Sequence, residues 1–132
     1  MSTMVFVNFP VTDLSRSVKF YEAVGFRQNH EFSNDDSAAM VWDDNFWIML
    51  LKHNFYAKFI GERLISDTQK YSGALIAFSL ESAEAVKEFG EKAKAFGGTV
   101  HHVEMGIPEE MMYGLEVQDP DGNMLEPSWM SV

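Results

Sequence analysis

Glu126 is the side chain whose setting most invites chemistry. It stands four residues past Gly122 in the run Asp119-Pro120-Asp121-Gly122-Asn123-Met124-Leu125-Glu126, which reads as a tight turn feeding a strand. Met124, Glu126 and Ser128 alternate with Leu125, Pro127 and Trp129, so Glu126 shares a face with Met124. A carboxylate among apolar side chains is desolvated and its pKa rises, which suits a general base or a counter-ion for a cation. The same residue could instead hydrogen-bond within its sheet or pair across a subunit contact. His53 follows the apolar stretch 46–51 and falls four residues after Met49, on the same face if that strand continues. There it could act as an acid, a base or a lone ligand, or stand as an ordinary strand-end histidine. Asn8 lies two residues past Phe6 and offers an amide to a ligand or to the backbone.

The remaining polar groups offer less. His101 and His102 are adjacent on an expected strand and so point to opposite faces, where they cannot share one ion. His30 stands on an early strand with no visible partner. Asp35-Asp36 and Asp43-Asp44 are turns, since the alternating oxygens and later glutamate of a calcium loop are missing. Met111, Met112 and Tyr113, with Met105 and Ile107, could form a pliable apolar lid or pack against the core or a partner subunit; Trp42, Trp47 and Trp129 could stack on a flat ligand, though core or interface roles are more common for such residues.

Composition bounds these options. The chain has 132 residues, 46% of them hydrophobic and 14% aromatic, enough for a packed interior. It has no cysteine, which removes disulfides, thiol nucleophiles and thiolate zinc sites. Twenty acidic residues face ten basic ones, a formal charge of -10. That charge repels phosphate backbones and attracts cations, so nucleic acid is not an expected partner. No leader and no membrane-spanning segment is read from the sequence, and a cytoplasmic protein is expected.

The elements that position these residues repeat. Residues 4–9 read as a strand, Thr12 or Asp13 caps a helix carrying Leu14, Val18 and Tyr21, and Gly25 ends it. Strands are expected at 26–32, 38–42 and 46–51. A partly helical connector follows, with Phe55, Phe59 and Leu64 on one side. The pattern then restarts: a strand at 74–80, a helix capped by Ser82 with Val86, Phe89, Ala93 and Phe96 on one face, and a stop at Gly97-Gly98. Strands at 99–104, 113–118 and 124–129 complete it. The order β-α-β-β-β thus occurs twice, in modules at about 1–53 and 73–132 joined by a connector at 54–72. Each module is a small sheet with one helix on it, and such a sheet must bury its other face.

That order resembles the vicinal oxygen chelate superfamily of glyoxalases, bleomycin-resistance proteins and extradiol dioxygenases. Two runs carry the likeness: Val11-Thr12-Asp13-Leu14 through Phe20-Tyr21 to Gly25-Phe26, and Asp119-Pro120-Asp121-Gly122 with Glu126. The resemblance covers nearly the whole chain. It implies an α+β fold of two βαβββ modules forming a cup-shaped, partly open mixed barrel with helices outside, in a single domain at 1–132. It also implies a homodimer. Its four metal-ligand positions fall on Phe6, within 48–51 (Ile48, Met49, Leu50, Leu51), on Ala74 or Leu75, and on Glu126. Only the last keeps an oxygen donor, whereas a divalent cation needs several donors at once. No metal and no other cofactor is therefore expected, a divalent ion being the main alternative. The expected ligand-lining set is Phe6, Asn8, Met49, Leu75, Met112, Met124 and Glu126, with Glu126 and His53 as candidate proton carriers. Two functions follow. One is metal-free binding of a small, cationic or partly apolar molecule, as in the bleomycin-resistance members. The other is a glyoxalase-type lyase or isomerase acting by proton transfer through Glu126.

Overall fold

A computed structural model describes residues 2–132 and divides the chain into two compact units, Met1–Asp67 and Thr68–Val132. The expected connector at 54–72 is thus shared between them. Both units have the anticipated βαβββ order within an α+β fold, and each sheet is open rather than closed.

In the first unit β1 (Val5–Val11) runs parallel to β4 (Phe46–Lys52). β3 (Ser37–Asp43) and β2 (Arg27–Asn29) follow antiparallel, giving the order β1-β4-β3-β2. Helix α1 (Leu14–Val24) begins where the Asp13 side chain accepts the Arg16 N–H at 3.1 Å. It ends at Gly25, whose φ of 121° suits glycine and whose missing Cβ leaves room for the Trp42 ring. Phe20, Tyr21 and Val24 of α1 are buried, as are Phe9, Val11, Ala38, Met40, Ile48 and Leu50 on one face of the sheet. Burying that face is the driving force for this unit. Trp47 and Met49 of β4 alternate to the opposite face, alongside Phe6 and Asn8 of β1.

In the second unit β5 (Ile76–Ser79) is parallel to β9 (Met124–Met130). Antiparallel to β9 lie β7 (Met112–Gly114) and β8 (Glu116–Gln118), successive pieces of one line, and β6 (Thr99–His101) closes the far edge against β8. Helix α3 (Ala83–Ala95) starts at Ser82, whose hydroxyl accepts the Ala85 N–H at 3.0 Å. Val86, Phe89 and Ala93 of α3 are buried, as are Leu115, Val117, Leu125 and Pro127 of the sheet. Gly90 permits the close approach, since a Cβ there would lie 2.7 Å from Leu115 Cδ1.

Several expected boundaries move, each for a local reason. Strand 26–32 stops at Asn29, whose side chain accepts the N–H groups of Glu31 and Phe32 and turns the chain into a 3-10 turn; His30 opens that turn rather than lying on a strand. Strand 74–80 begins only at Ile76 and ends at Ser79. Strand 99–104 ends at His101, because β6 has only the three residues of β8 to pair with. His102 leaves the ladder and stacks on Tyr113 at 5.0 Å and 19°. Phe96 caps α3 instead of lining its buried face and is 49% exposed. In the connector, α2 (His53–Tyr56) and the turn after it bring Phe55 and Phe59 into ring contact, but Leu64 is 92% exposed and joins nothing.

The turn before β9 is bound on all sides. Asp119 is buried, with Oδ1 accepting the Asp121 and Asn123 N–H groups at 2.9 Å and Oδ2 accepting the Asn123 amide at 3.0 Å. Thr68 Oγ1 donates to the Asp121 carbonyl and Gln69 Nε2 to the Pro120 carbonyl. Gly122 has φ of 90°, and a Cβ there would lie 2.3 Å from the Thr68 carbonyl oxygen. Gly122→Ala therefore combines left-handed strain with a backbone clash, and is expected to lower unfolding free energy by about 2 kcal/mol or more in urea denaturation. A loss below about 0.5 kcal/mol would show that this turn does not hold Thr68 as described.

Candidate functional site

The alternation along β9 places Leu125 and Pro127 against α3 and turns Met124, Glu126 and Ser128 to the open face. Cross-strand register then selects Glu126's neighbours. β5 sets Ala77 beside it. The β8–β9 pairs Gln118↔Met124 and Val117↔Leu125, continued by one step, set Glu116 directly opposite Glu126. The β6–β8 pairing sets His101 opposite Glu116. One row therefore crosses the sheet: Ala77, Glu126, Glu116, His101. Directly opposed residues on one sheet face have Cβ atoms about 5 Å apart, close enough for two glutamates to meet.

They do meet. Glu116 is pushed up to about 7, first by burial against the sheet, then by its side-chain hydrogen bond with Glu126 and the charge of Glu126. The two side chains share a hydrogen bond, and this contact adds to burial in favouring the protonated form of Glu116. Two adjacent carboxylates cannot both ionise freely, so the pair keeps a proton that either a base or a cation can displace. The Ser128 hydroxyl donates to the Glu126 carbonyl at 3.1 Å. It also fills the space a side chain on Gly114 would need.

The structure brings together three of the expected residues here: Glu126, Met124 and Met112 lie on this one face. Phe6, Asn8 and Met49 share the open face of the first unit's sheet as parts of the cross-strand pairs Phe6↔Trp47 and Asn8↔Met49. Asn8 Nδ2 donates to the Phe6 carbonyl at 3.3 Å, the backbone pairing anticipated as its alternative. Two residues fall elsewhere. β4 ends at Lys52, so His53 does not continue the strand but opens α2, exposed. Leu75 precedes β5 and is 51% exposed. An open depression of about 510 Å³ beside the start of α1 is lined by Thr12, Asp13, Ser15, Asn34 and Lys52 among others, none of them an expected site residue. Glu116 was not singled out from the sequence. Its signal is available by counting outwards from the turn: Gln118 opposite Met124 makes Glu116 opposite Glu126.

The donor set does not fit a divalent cation. Phe6, the four apolar residues at 48–51, Ala74 and Leu75 offer no side-chain donor. Among the described residues no three His, Cys, Asp or Glu side chains gather closely enough to hold an ion. No helix among them is long and apolar enough to cross a membrane.

Because the folded chain holds the Glu116 proton to about pH 7 while an unfolded glutamate releases it near 4.5, the folded state binds the extra proton between those values. The associated stabilisation is complete below the unfolded value and is lost as pH rises through the folded one. Melting temperature is thus expected to fall between pH 5 and 8 in the native protein. In Glu116→Gln, whose amide still donates to Glu126 but does not titrate, that part of the slope should vanish. Equal slopes in the two proteins would contradict the shared proton.

The family model "Glyoxalase/Bleomycin resistance protein/Dioxygenase superfamily" matches residues 3–126. No curated protein matches. Among solved structures, a hypothetical protein from S. aureus is 21% identical, with 98% of this chain and 95% of that one covered and a TM-score of 0.78. A glyoxalase/bleomycin resistance protein/dioxygenase family enzyme from Burkholderia phytofirmans is 19% identical over 98% and 99% of the two chains, with a TM-score of 0.75. A fosfomycin resistance protein from Listeria monocytogenes is 19% identical over 100% and 94%, with a TM-score of 0.68. At these identities the structures agree in fold.

Proposed function

The chain belongs to the glyoxalase/bleomycin resistance protein/dioxygenase superfamily, and from that premise we propose that it binds a small, partly apolar cationic molecule without a divalent metal. One observation carries the reading: Glu116 and Glu126 stand side by side on an open sheet face, where burial and their contact favour a proton on Glu116. A protonated amine set against the pair replaces that proton and leaves both carboxylates ionised around it. Met112, Met124 and Ala77 on the same face supply the apolar contact. The formal charge of -10 draws a cation towards the protein. In this reading the protein works as a cytoplasmic homodimer, with neither nucleic acid nor membrane as partner.

Naphthylmethylamine should raise the melting temperature by several degrees at saturating concentration, because a ligand of the folded state alone stabilises it. Naphthylmethanol, uncharged and of similar shape, should do much less. Calorimetry in buffers of different ionisation enthalpy should register a released proton near pH 6, and Glu126→Gln should abolish both effects. If amine and alcohol stabilise alike, the carboxyl pair is not the recognition element.

A second reading draws on the same pair. A carboxyl that titrates near pH 7 is matched to proton transfer beside a carbonyl, the chemistry of a glyoxalase-type lyase or isomerase. Glu126 would take the proton, and Glu116 would supply one to the developing oxyanion. Turnover of the hemithioacetal of methylglyoxal and glutathione, lost in Glu126→Gln without loss of fold, would establish this reading. Absence of turnover with and without added nickel or zinc would dismiss it.

A further inference from the structure

On the open face of the first unit one polar atom stands apart. Trp47 Nε1 is shielded from solvent, and among the described residues no acceptor reaches it. Buried N–H groups nearly always have a partner, and one without keeps its full desolvation penalty. Its surroundings are rings. Phe6, opposite Trp47 in the β1–β4 register, meets the indole edge-on at 5.4 Å and 75°. Phe32, from the turn after β2, meets it at 5.7 Å and 68°. Such edge contacts are second-order beside a carbonyl oxygen or ring nitrogen as acceptor.

The cover over this donor is movable. Phe6 is 48% and Phe32 62% exposed, and exposed side chains change rotamer within nanoseconds. Asn8 on the same face donates its Nδ2 to the Phe6 carbonyl and does not accept from Trp47 Nε1. The group formed by Phe6, Asn8, Phe32, Trp47 and Met49 contains no charge. A flat, neutral ring is the ligand that matches rings on both sides, and an acceptor on that ring answers the single donor.

We infer that Trp47 is a specificity residue whose Nε1–H donates to the acceptor of a flat, uncharged heteroaromatic ring lodged between Phe6 and Phe32. The inference goes beyond the amine-binding reading above and does not rest on the Glu116–Glu126 pair. Phe6 and Phe32 supply stacking area, which any aromatic ring satisfies. Trp47 supplies the discrimination, because a ring without an acceptor leaves the buried donor as it was.

Quinoline and naphthalene have the same shape and differ in one ring nitrogen, so they isolate this contact. At neutral pH quinoline is uncharged. It should bind the native protein about 10-fold more tightly than naphthalene, the value of one buried hydrogen bond. It should also move the indole ¹H–¹⁵N resonance of Trp47 downfield, while naphthalene should not. Trp47→Phe keeps a ring and loses the donor, and should bind the two compounds equally. Should that variant not fold, the resonance and the affinity ratio in the native protein decide alone. Equal affinities with an unmoved Trp47 resonance overturn the inference, and so does binding of neither compound. If quinoline fails while naphthylmethylamine still stabilises, this inference falls and the binding function stands; if both fail, both fall.

Discussion

Alternation along β9 is the constraint on which the second unit depends. Leu125 and Pro127 are buried with α3, and burial of that face is what stabilises the sheet against its helix. Glu126 lies between them in sequence and so must face the other way. A slip of one residue would drive its carboxylate into the apolar side and expose Leu125, two large penalties at once. Register is therefore strongly specified here. The Asp119 hydrogen bonds close the turn at one end of the hairpin, and every cross-strand neighbour after it follows. The meeting of Glu116 with Glu126 is a consequence of where the turn sits.

That meeting creates an electrostatic conflict which the fold leaves to a proton. Two ionised carboxylates at this spacing repel, and partial burial weakens the solvent screening that would relieve them. A cation of any kind settles the same conflict. The resemblance implies metal-ligand positions at Glu126 and at three further places in the chain. Here those positions carry Phe6, the apolar residues at 48–51, and Ala74 or Leu75, none of which donates an electron pair strongly enough to hold such an ion. Glu116 sets a second carboxyl beside the one that is kept, Glu126.

Much of this architecture was legible in the residues. Asp13, Gly25 and Ser82 mark helix ends by mechanisms that act within four residues, and all three do so. The alternation from Met124 to Trp129 correctly divided the faces of β9. Failures came where the deciding partner lies outside the local window. Nothing in 26–32 alone reveals that the Asn29 side chain captures two backbone N–H groups and ends the strand. His53 extends the apolar run of β4 in sequence, but the ladder with β1 ends at Lys52 and the chain coils into α2. Glu116 escaped notice because a single charged residue in a strand carries no motif. Its role appears only once it is paired, and pairing is a property of two strands.

The same reasoning separates the chain's most distinctive motif from its chemistry. In Asp119-Pro120-Asp121-Gly122-Asn123 the Asp119 carboxylate is spent on backbone and amide donors, and Gly122 is required where a side chain would strike the Thr68 carbonyl. Both oxygens of that buried carboxylate are thus engaged within the turn itself. The motif is conspicuous because a turn of this geometry tolerates few residue types. Glu126 is inconspicuous because the sheet would accept many side chains on its open face. That tolerance leaves the position free to carry a carboxylate, whereas the recognisable run before it is held by the needs of the turn.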